Sequence, residues 1–224
     1  MDTFSCDIKW YGELNYTSSL QIQKDLHIQR IDNQINDQLL FMEHSPVYTK
    51  GRMSKEEDLL QPPEFINKLG AEILETDRGG EITFHGPGQL IIYPILSIKR
   101  LKGPLHYVRL LEDCIIQSLK SVGVESSCIP GLTGVWVGDD KVAAIGIKIS
   151  RGVSFHGCSI NLSTDLSWYD YIVPCGIRDK GVTSVEKITN NIISTLDFSK
   201  IFAKQFAKIF SVTLSNLNYE KDTY

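Results

Sequence analysis

A glycine-rich stretch around one histidine, DRGGEITFHGPGQLIIY at residues 77–93, has the residue types of a ligand site. Its glycines allow backbone geometries and a close ligand approach that side chains would block. Two nucleotide-binding patterns fail here: no lysine follows the last glycine, and Ile91 stands where a dinucleotide fingerprint needs glycine. A nucleotide phosphate is therefore not the expected ligand. The alternative is a hairpin loop whose glycines only satisfy turn geometry.

Two other positions carry side chains suited to covalent chemistry. Pro174 and Gly176 flank Cys175, which predicts a constrained turn in which a thiol can face a ligand. A thiol with an unperturbed pKa near 8.5 is only a few per cent ionised at pH 7, so a nucleophile here needs a neighbour that stabilises the thiolate. Lys141 begins a strand-like apolar run. Taken separately, Cys175 also fits a structural loop cysteine, and Lys141 also fits a solvated lysine at a strand end.

Three histidines lie beside turn-forming residues. His44 precedes a Ser-Pro turn, and His85 and His156 each precede a glycine. Each of them can hold a ligand or simply hydrogen-bond a neighbouring backbone group. The sequence has no metal-ligand spacing, and its five cysteines include no C-x-x-C pair. Neither a metal site nor a disulfide framework is therefore expected.

The composition restricts the class of protein. A chain of 224 residues with 42% hydrophobic and 22% charged residues predicts one globular domain over residues 1–224. A net charge of −4 gives no global positive field that would recruit nucleic acid or an anionic membrane. The first residues lack the features of a leader peptide, and no apolar run approaches the ~18 residues of a membrane span. We expect a cytoplasmic protein with reduced thiols.

Hydrophobic periodicity predicts an alternation of helices and strands. The predicted helices span residues 17–35, 62–70, 104–122 and 198–210, and the predicted strands span residues 7–11, 38–43, 71–76, 90–96, 134–137, 141–149 and 153–162. Thr183 and Glu186 have the spacing of a capping box that starts a short helix. The polar residues 216–224 are expected to fray.

Three of these helices have apolar residues in a row along one side. In the first helix the row is Leu20, Leu26, Ile28, Ile31 and Ile35. In the second helix it is Phe65, Ile66 and Leu69. In the last helix Phe202, Phe206 and Ile209 are expected to face inward.

Four segments occur together and in a fixed order: H-x-P-V-Y-T-x-G at 44–51, R-G-G-x-x-T-x-H-G-P-G-Q at 78–89, K-V-A-A-I-G at 141–146 and P-C-G at 174–176. This arrangement resembles the lipoyl(octanoyl) transferase family. The resemblance extends from about residue 41 to residue 185. The long glycine-rich motif is specific for the family, whereas P-C-G is informative only when it occurs together with that motif.

The resemblance implies an α/β (α+β) fold, a mixed β-sheet flanked by helices like the catalytic domain of biotin and lipoate ligases. It places the family's nucleophile on Cys175 and its catalytic lysine on Lys141. His156 is a candidate orienting residue. The implied substrate-binding positions are Arg78, Gly79, Gly80, Glu81, Ile82, Thr83, Phe84, His85, Ala144, Ile145, Gly146, Gly157, Cys158 and Ser159.

The reaction implied by the resemblance is transfer of an octanoyl group from acyl carrier protein to the specific lysine of lipoyl domains. The lipoyl domains expected are those of 2-oxoacid dehydrogenase complexes and the glycine cleavage H protein. Lys141 would stabilise the thiolate of Cys175 or accept its proton, and an acyl-enzyme thioester would follow. Thioester to amide is downhill, so neither ATP nor a metal is expected. The expected enzyme is a monomer.

Two residues depart from the family pattern, and three other functions stay open. Cys158 puts a second thiol beside a predicted binding segment, and Tyr169 stands where phenylalanine is expected, so that its hydroxyl could alter the acyl slot.

A lipoate or biotin ligase would need ATP. A non-catalytic acyl-binding module would bind without turnover, and a cysteine hydrolase would use His85 or His156 as a base. The basic run SIKRLK at 97–102 is a candidate docking site for an acidic carrier protein, or only solvated charge.

Overall fold

A mixed sheet forms the centre of the fold in this computed structural model, which describes residues 4–173 and 180–218. The strands are β1 (Phe4–Leu14), β2 (Asp37–His44), β3 (Val47–Lys50), β4 (Glu72–Glu75), β5 (Ile82–His85), β6 (Gln89–Ile95), β7 (Ser127–Ile129), β8 (Leu132–Val137), β9 (Asp140–Ser150), β10 (Val153–Asn161), β11 (Gly181–Val182) and β12 (Val212–Asn218). The α-helices are α1 (Tyr16–Ile31), α2 (Pro63–Lys68), α3 (Pro104–Lys120), α4 (Val185–Thr189) and α5 (Thr195–Phe210). Short 3-10 helices span Glu56–Asp58 and Leu166–Tyr171.

The large sheet has the order β12-β1-β2-β6-β10-β9-β8-β7, and β11 pairs with β9. β1 runs parallel to β2 and β12, whereas β6 runs antiparallel to β2 and β10. A small sheet with the order β4-β3-β5 lies apart from it. Its strand β3 belongs to the motif at 44–51, and its strand β5 belongs to the glycine-rich motif at 78–89. The predicted mixed sheet flanked by helices is confirmed.

Helices α3 and α5 cover one face of the large sheet and enclose the main core. Leu111 and Ile115 of α3 are fully buried there, as are Phe202 and Phe206 of α5. α5 starts three residues earlier than its apolar row predicts, because the Ser194 side chain accepts the N–H of residue 197 and caps the helix. The long predicted helices are therefore present, with boundaries set by capping groups.

Helix α1 lies on the opposite face, and only part of its predicted apolar row packs against the core. Ile28 is 52% exposed. The buried row is instead polar and consists of Tyr16, Ser19, Gln23 and His27. The apolar Ile22, Leu26 and Ile31 pack along its edge against a smaller cluster. The helix turns a polar side to the sheet because Gln23 and His27 hydrogen-bond backbone groups of β10.

Three further expectations need correction. In α2 only Ile66 is buried, and Phe65 and Leu69 are exposed, because the six-residue helix covers only the small sheet. Ser184 caps α4 in place of Thr183, whose backbone N–H donates to the carbonyl oxygen of Lys141. Residues 216–218, predicted to fray, belong to β12, which pairs with β1 at the sheet edge.

Candidate active site

A cavity of about 630 Å³ lies over β9 and β10, beside the small sheet. Its volume is in the range of small-molecule sites. Lys141 and His156 line the cavity, and so does every residue predicted to bind substrate except Phe84. These lining residues are Arg78, Gly79, Gly80, Glu81, Ile82, Thr83, His85, Ala144, Ile145, Gly146, Gly157, Cys158 and Ser159. The fold thus gathers three distant motifs around one space, while their contact with substrate stays a prediction.

Small residues on two paired strands leave room for this cavity. In the β9–β10 ladder, Ala144 faces Ser159 and Gly146 faces Gly157. Gly157 also permits a close approach of β6, because a Cβ there would lie 2.0 Å from the carbonyl oxygen of Ile92. Bulky side chains at these positions would fill the cavity.

Arg78 fastens the glycine-rich loop over the cavity. Its guanidinium donates to the hydroxyl of Thr49 at 3.0 and 2.9 Å, to the carbonyl oxygen of Glu81 at 2.7 Å and to that of Gly79 at 3.0 Å. The backbone N–H of Gly79 donates to the carbonyl oxygen of Ile147 on β9 at 3.0 Å. Arg78 therefore positions the loop, in addition to lining the cavity.

Lys141 is buried, unlike the solvated lysine that a strand end allows. It is 8% exposed, and its Nζ lies 4.7 Å from the centre of the Trp136 ring. Gly134 of β8 makes room for its side chain: a Cβ at Gly134 would lie 3.4 Å from Cε of Lys141 and 2.7 Å from the carbonyl oxygen of Ala143. A cation over an aromatic face is favourable, so β8 holds Lys141 at the wall of the cavity.

Phe84 and Tyr169 do not line the large cavity, beside which lies a small cavity of about 10 Å³. Tyr169 lines this space and not the large cavity. Its phenol oxygen accepts from Nε2 of Gln89 at 3.0 Å, and the same amide donates to Oδ1 of Asn161 at 2.8 Å. The ring of Phe84 stacks on Trp168 at 5.1 Å, in the core of the small sheet. Both aromatic residues thus lie behind the predicted acyl slot.

His85 and His44 form a buried polar layer next to the cavity. Nδ1 of His85 lies 2.7 Å from Oε1 of Gln89 and donates to it, so its Nε2 accepts from the hydroxyl of Thr49 at 3.3 Å. Nδ1 of His44 donates to a carbonyl oxygen, and its Nε2 accepts from the hydroxyl of Tyr93 at 2.8 Å. Burial lowers the pKa of His44 to about 4 and that of His85 to about 3. Both rings are therefore neutral, with each nitrogen occupied.

His156 is held by an acidic residue that precedes the glycine-rich loop. Nε2 of His156 lies 2.7 Å from Oδ1 of Asp77, and Lys148 contacts the other carboxylate oxygen at 2.5 Å. Burial lowers the pKa of His156 to about 4. Burial by itself raises the pKa of Asp77, but the hydrogen bonds from His156 and Lys148 outweigh it and leave that pKa at about 2. The contact thus joins a neutral imidazole to a carboxylate.

The cysteines in the described part of the chain are poor nucleophiles. Burial raises the pKa of Cys158 to about 12 and that of Cys128 to about 11. Burial also raises the pKa values of Cys6 and Cys114 well above the ordinary range. A thiolate is scarce at each of these sites at pH 7. Cys158 therefore does not compete as a reactive thiol, although it lines the cavity.

Cys175 lies outside the described residues, so its predicted role is not tested by the geometry. The chain that follows it is anchored beside Lys141: Val182, seven residues after Cys175, pairs with Lys141 in the β11–β9 ladder. The backbone N–H of Thr183 then donates to the carbonyl oxygen of Lys141 at 3.0 Å.

Two classes of feature do not occur among residues 4–173 and 180–218. No group of three histidine, cysteine or acidic side chains is arranged to hold a metal ion. In the same part of the chain, no helix combines the length and the apolar character needed to cross a membrane.

Sequence comparison decides the family. A family model described as the lipoyl protein ligase A/B catalytic domain matches residues 15–207. An octanoyltransferase of Solibacter usitatus (strain Ellin6076) is 43% identical over 208 residues, which cover 92% of this chain and 93% of that relative. The chain belongs to the octanoyltransferase family. The resemblance carried by the four motifs is thereby confirmed.

Solved structures share the fold at low sequence identity. A bipartite lipoate protein ligase from Thermoplasma acidophilum, studied together with its E2 lipoyl domain, has a TM-score of 0.75 at 14% identity, with 97% of this chain and 88% of that chain covered. A biotin protein ligase from Aquifex aeolicus, in complex with biotin and ATP, has a TM-score of 0.57 at 15% identity, with 92% of this chain and 70% of that chain covered. The predicted likeness to both ligase folds is confirmed.

Several residues of the site were not predicted from the sequence. Tyr16 and Tyr93 line the cavity, and Thr49 and Asp77 fix groups that line it. Asp77 directly precedes Arg78 and Thr49 lies within the first recognised motif, so the sequence held a usable signal for both. Tyr16 lies far from every motif, and only its place on the first turn of α1 brings it to the cavity.

Proposed function

We propose the donor, the acceptor and the covalent route of the octanoyl transfer that this acyltransferase catalyses in protein lipoylation. The donor is octanoyl-acyl carrier protein, and the acceptor is the specific lysine of a lipoyl domain. Cys175 is the nucleophile, and Lys141 is the group that donates and accepts the protons. No ATP and no metal take part, and the chain works as a cytoplasmic monomer.

The observation that carries this proposal is the buried Lys141 at the wall of a cavity built from the family's motifs. The cavity is walled by glycines and by the side chains of Ala144, Ile145, Ile147 and Ile91. Each CH₂ group buried there contributes about 0.8 kcal/mol. An apolar chain with a polar reacting end fits a space with one buried amine and largely apolar walls.

The route follows from the chemistry of a thiol and an amine. The thiolate of Cys175 attacks the carbonyl carbon of the donor thioester, a new C–S bond forms, and the C–S bond to phosphopantetheine breaks. The departing thiolate takes a proton from Lys141. Lys141, now neutral, accepts a proton from the incoming lysine, whose ordinary pKa near 10.4 keeps it protonated at pH 7. The freed amine attacks the carbonyl carbon of the acyl-enzyme and the C–S bond to Cys175 breaks, which yields the amide and the thiolate of Cys175, while the second proton of the amine leaves to water.

Two features of the site argue against His85 as the base of a cysteine hydrolase and favour Cys175 over other thiols. The nitrogens of His85 are both engaged, with Gln89 and Thr49, so this ring has no lone pair to spare for a thiol. Burial raises the pKa of Cys158 to about 12, which removes it as an alternative nucleophile. These observations support a lysine-assisted thiol without requiring a histidine base.

The proposed partners follow from family membership and from charge. The ligase from Thermoplasma acidophilum was studied with its E2 lipoyl domain, which supports a lipoyl domain as the acceptor here. The glycine cleavage H protein and 2-oxoacid dehydrogenase complexes supply such domains. In the proposed carrier-docking run, Arg100 is already engaged with Asp37 at 3.8 Å and with the Phe4 ring at 4.1 Å. Lys99 and Lys102 are the exposed cations left for an acidic carrier.

Intact-mass measurement tests the route directly. The purified chain is mixed with octanoyl-acyl carrier protein in the absence of ATP, as wild type and as the Cys175→Ala and Cys158→Ala variants. The expected octanoyl adduct requires Cys175, persists in Cys158→Ala and disappears when an apo lipoyl domain is added. Because Cys158 is buried and unreactive, its alanine variant is a matched control for the loss of a thiol.

The opposite result identifies the principal rival. Octanoylation that occurs only with free octanoate and ATP would make the chain a ligase and Cys175 a structural residue. Release of free octanoate from the donor, with no transfer, would indicate a hydrolase. Binding of the donor with neither adduct nor product would indicate a non-catalytic module.

A further inference from the structure

The ladder between β8 and β9 stops partway along β9. Ala143 pairs with Val135, but no strand in the described part of the chain pairs with Ile145 on that side of β9. The next contact on the same side is at Ile147, whose carbonyl oxygen accepts the backbone N–H of Gly79 at 3.0 Å. A gap is therefore left in the sheet between β8 and the glycine-rich loop, at the level of Ile145.

The main chain of Ile145 faces this gap. In an antiparallel ladder, residues that hydrogen-bond on one side of a strand alternate with residues that hydrogen-bond on the other side. The carbonyl oxygen of Ile147 points to the gap side, so the N–H and C=O of Ile145, two residues earlier, point there too. Ile145 lines the cavity. The cavity wall thus offers one backbone donor and one backbone acceptor, side by side.

The cavity extends through the gap to both faces of the large sheet. Tyr16 of α1 and Val108 of α3 line the same space, although these two helices cover opposite faces. Leu132 and Thr133 line it on the β8 side. At about 30 Å³ for each water-sized group, the 630 Å³ hold roughly twenty such groups. An octanoyl group has only nine non-hydrogen atoms, so the cavity has room for a second part of the donor.

The acyl chain and the reacting amine divide this space. Residues paired across a sheet share a face, and Ala144 is joined through β10 to Ile91, which packs with α1. The predicted acyl slot therefore lies on the α1 face. The side chain of Lys141 runs towards the gap, since its Cε lies 3.4 Å from the position of a Cβ at Gly134, next to the last paired residue of β8. Under the proposed function the thioester lies beside this amine, and the group that carries the sulfur leaves past Ile145.

We propose that the edge of β9 at Ile145 binds the pantetheine arm of the donor through its β-alanine unit. The N–H of Ile145 donates to the carbonyl oxygen of the amide nearer the sulfur, and the carbonyl oxygen of Ile145 accepts the N–H of the second amide. This subsite rests on the proposed octanoyl transfer and deepens it, because it names the part of the donor that the chain recognises besides the acyl group.

The order of the groups in the arm fits this edge. Counting from the sulfur, the carbonyl of the first amide comes before the N–H of the second amide, and two methylene groups separate them. Along β9 away from Lys141, the N–H of Ile145 comes before its C=O. The β-alanine unit therefore pairs with Ile145 as one residue of an antiparallel strand pairs with another, and both hydrogen bonds form with a single residue.

The first test uses the wild-type chain and changes single atoms of the donor. Octanoyl-pantetheine is compared, by kcat/KM for transfer to an apo lipoyl domain, with two analogues in which an ester oxygen replaces one amide N–H. Replacing the N–H of the second amide should lower kcat/KM by about tenfold, because the carbonyl oxygen of Ile145 loses its donor. The matched analogue replaces the N–H of the first amide, which points away from β9 because the N–H and C=O of a trans amide point in opposite directions. It should be used within about threefold of octanoyl-pantetheine. Equal effects of the two replacements would overturn the proposal.

The second test removes the backbone donor. Proline has no N–H, and at a strand edge it costs no ladder bond. Ile145→Pro should lower the ratio of kcat/KM for octanoyl-pantetheine over S-ethyl octanethioate, which has no amide, by about tenfold. Both donors carry the same acyl group, so a changed acyl slot cancels in this ratio. Ile145→Val keeps the N–H and should keep the ratio. Ile149→Pro is the matched control, because Ile149 lies on the same side of β9 and does not line the cavity.

The outcomes separate this subsite from the function on which it rests. If wild type transfers no octanoyl group from the carrier without ATP, the proposed route has failed. If it uses octanoyl-acyl carrier protein but not octanoyl-pantetheine, or uses S-ethyl octanethioate as well as octanoyl-pantetheine, the pantetheine subsite alone is wrong. If Ile145→Pro does not fold, the comparison of the two ester analogues with wild type still decides the matter.

Discussion

Replacing Thr49 by valine should destabilise the protein by about 3 kcal/mol. The Thr49 hydroxyl accepts two hydrogen bonds from Arg78, at 3.0 and 2.9 Å, and donates one to His85 at 3.3 Å. Valine has nearly the same shape and removes all three. Arg78 and His85 are 7% and 8% exposed, so water does not replace the lost partner. A hydrogen bond to a charged group contributes about 1.5–3 kcal/mol, and a neutral one contributes about 1 kcal/mol. Because Arg78 keeps its other hydrogen bonds in the variant, we expect the total loss of stability to stay near 3 kcal/mol.

The assay compares Thr49→Val with Thr49→Ser by urea unfolding and by thermal unfolding. Serine keeps the hydroxyl and loses only a methyl group, so it isolates the hydrogen bonds. For a chain of this size the valine variant should melt about 6–12 °C lower than wild type. Its kcat/KM for octanoyl transfer should also fall, because Arg78 holds Gly79 and Glu81 of the loop over the cavity. A valine variant within about 0.5 kcal/mol of the serine variant, with normal kcat/KM, would refute the reasoning.

Three other expectations can be checked with similar assays. Gly146→Ala places a Cβ 2.9 Å from a carbonyl oxygen of the glycine-rich loop; it should cost about 1–2 kcal/mol of stability and impair octanoyl transfer more than hexanoyl transfer. Burial lowers the pKa values of His44, His85 and His156 to about 4, 3 and 4. The unfolded chain therefore binds protons first on acidification, and the free energy of unfolding should be constant above about pH 7.5 and fall towards pH 4, by about 1.4 kcal/mol per histidine at pH 5.5. Equal urea midpoints at pH 7.5 and pH 5.5 would contradict this. Tyr169→Phe should cost about 1 kcal/mol and leave the chain-length preference unchanged, since the hydroxyl bonds Gln89 behind the slot; a changed preference would place it in the slot.

Local sequence signals were sufficient for most of the fold. The alternation in β9 and β10 and the amphipathic row of α3 are properties of continuous segments, and these elements were predicted within a few residues. β12 was missed because its polar residues resemble a tail, and only pairing with β1, some two hundred residues earlier in the chain, makes it a strand. Parallel pairing of distant segments leaves no local pattern to read.

The motif residues of the site were predictable for a different reason. Gly146 and Gly157 tolerate no side chain where backbone atoms of the loop and of β6 approach them, so their residue type is dictated by the fold. The motif pattern could not show how Arg78 acts, since an arginine in a glycine-rich loop suggests ligand contact as readily as loop support. Its bonds to Thr49 show that it supports the loop, while its contact with substrate stays a prediction.

Helix α1 shows why the polar half of the site escaped prediction. A helix on a sheet is expected to bury an apolar row, yet α1 buries Tyr16, Ser19, Gln23 and His27. The reason lies in its partner: β10 beneath it carries His156, and the cavity begins at Tyr16. An apolar row over that region would leave the backbone N–H of His156 without the acceptor that Gln23 provides. The polar row is therefore a property of the pair of elements, and no pattern within α1 alone could predict it.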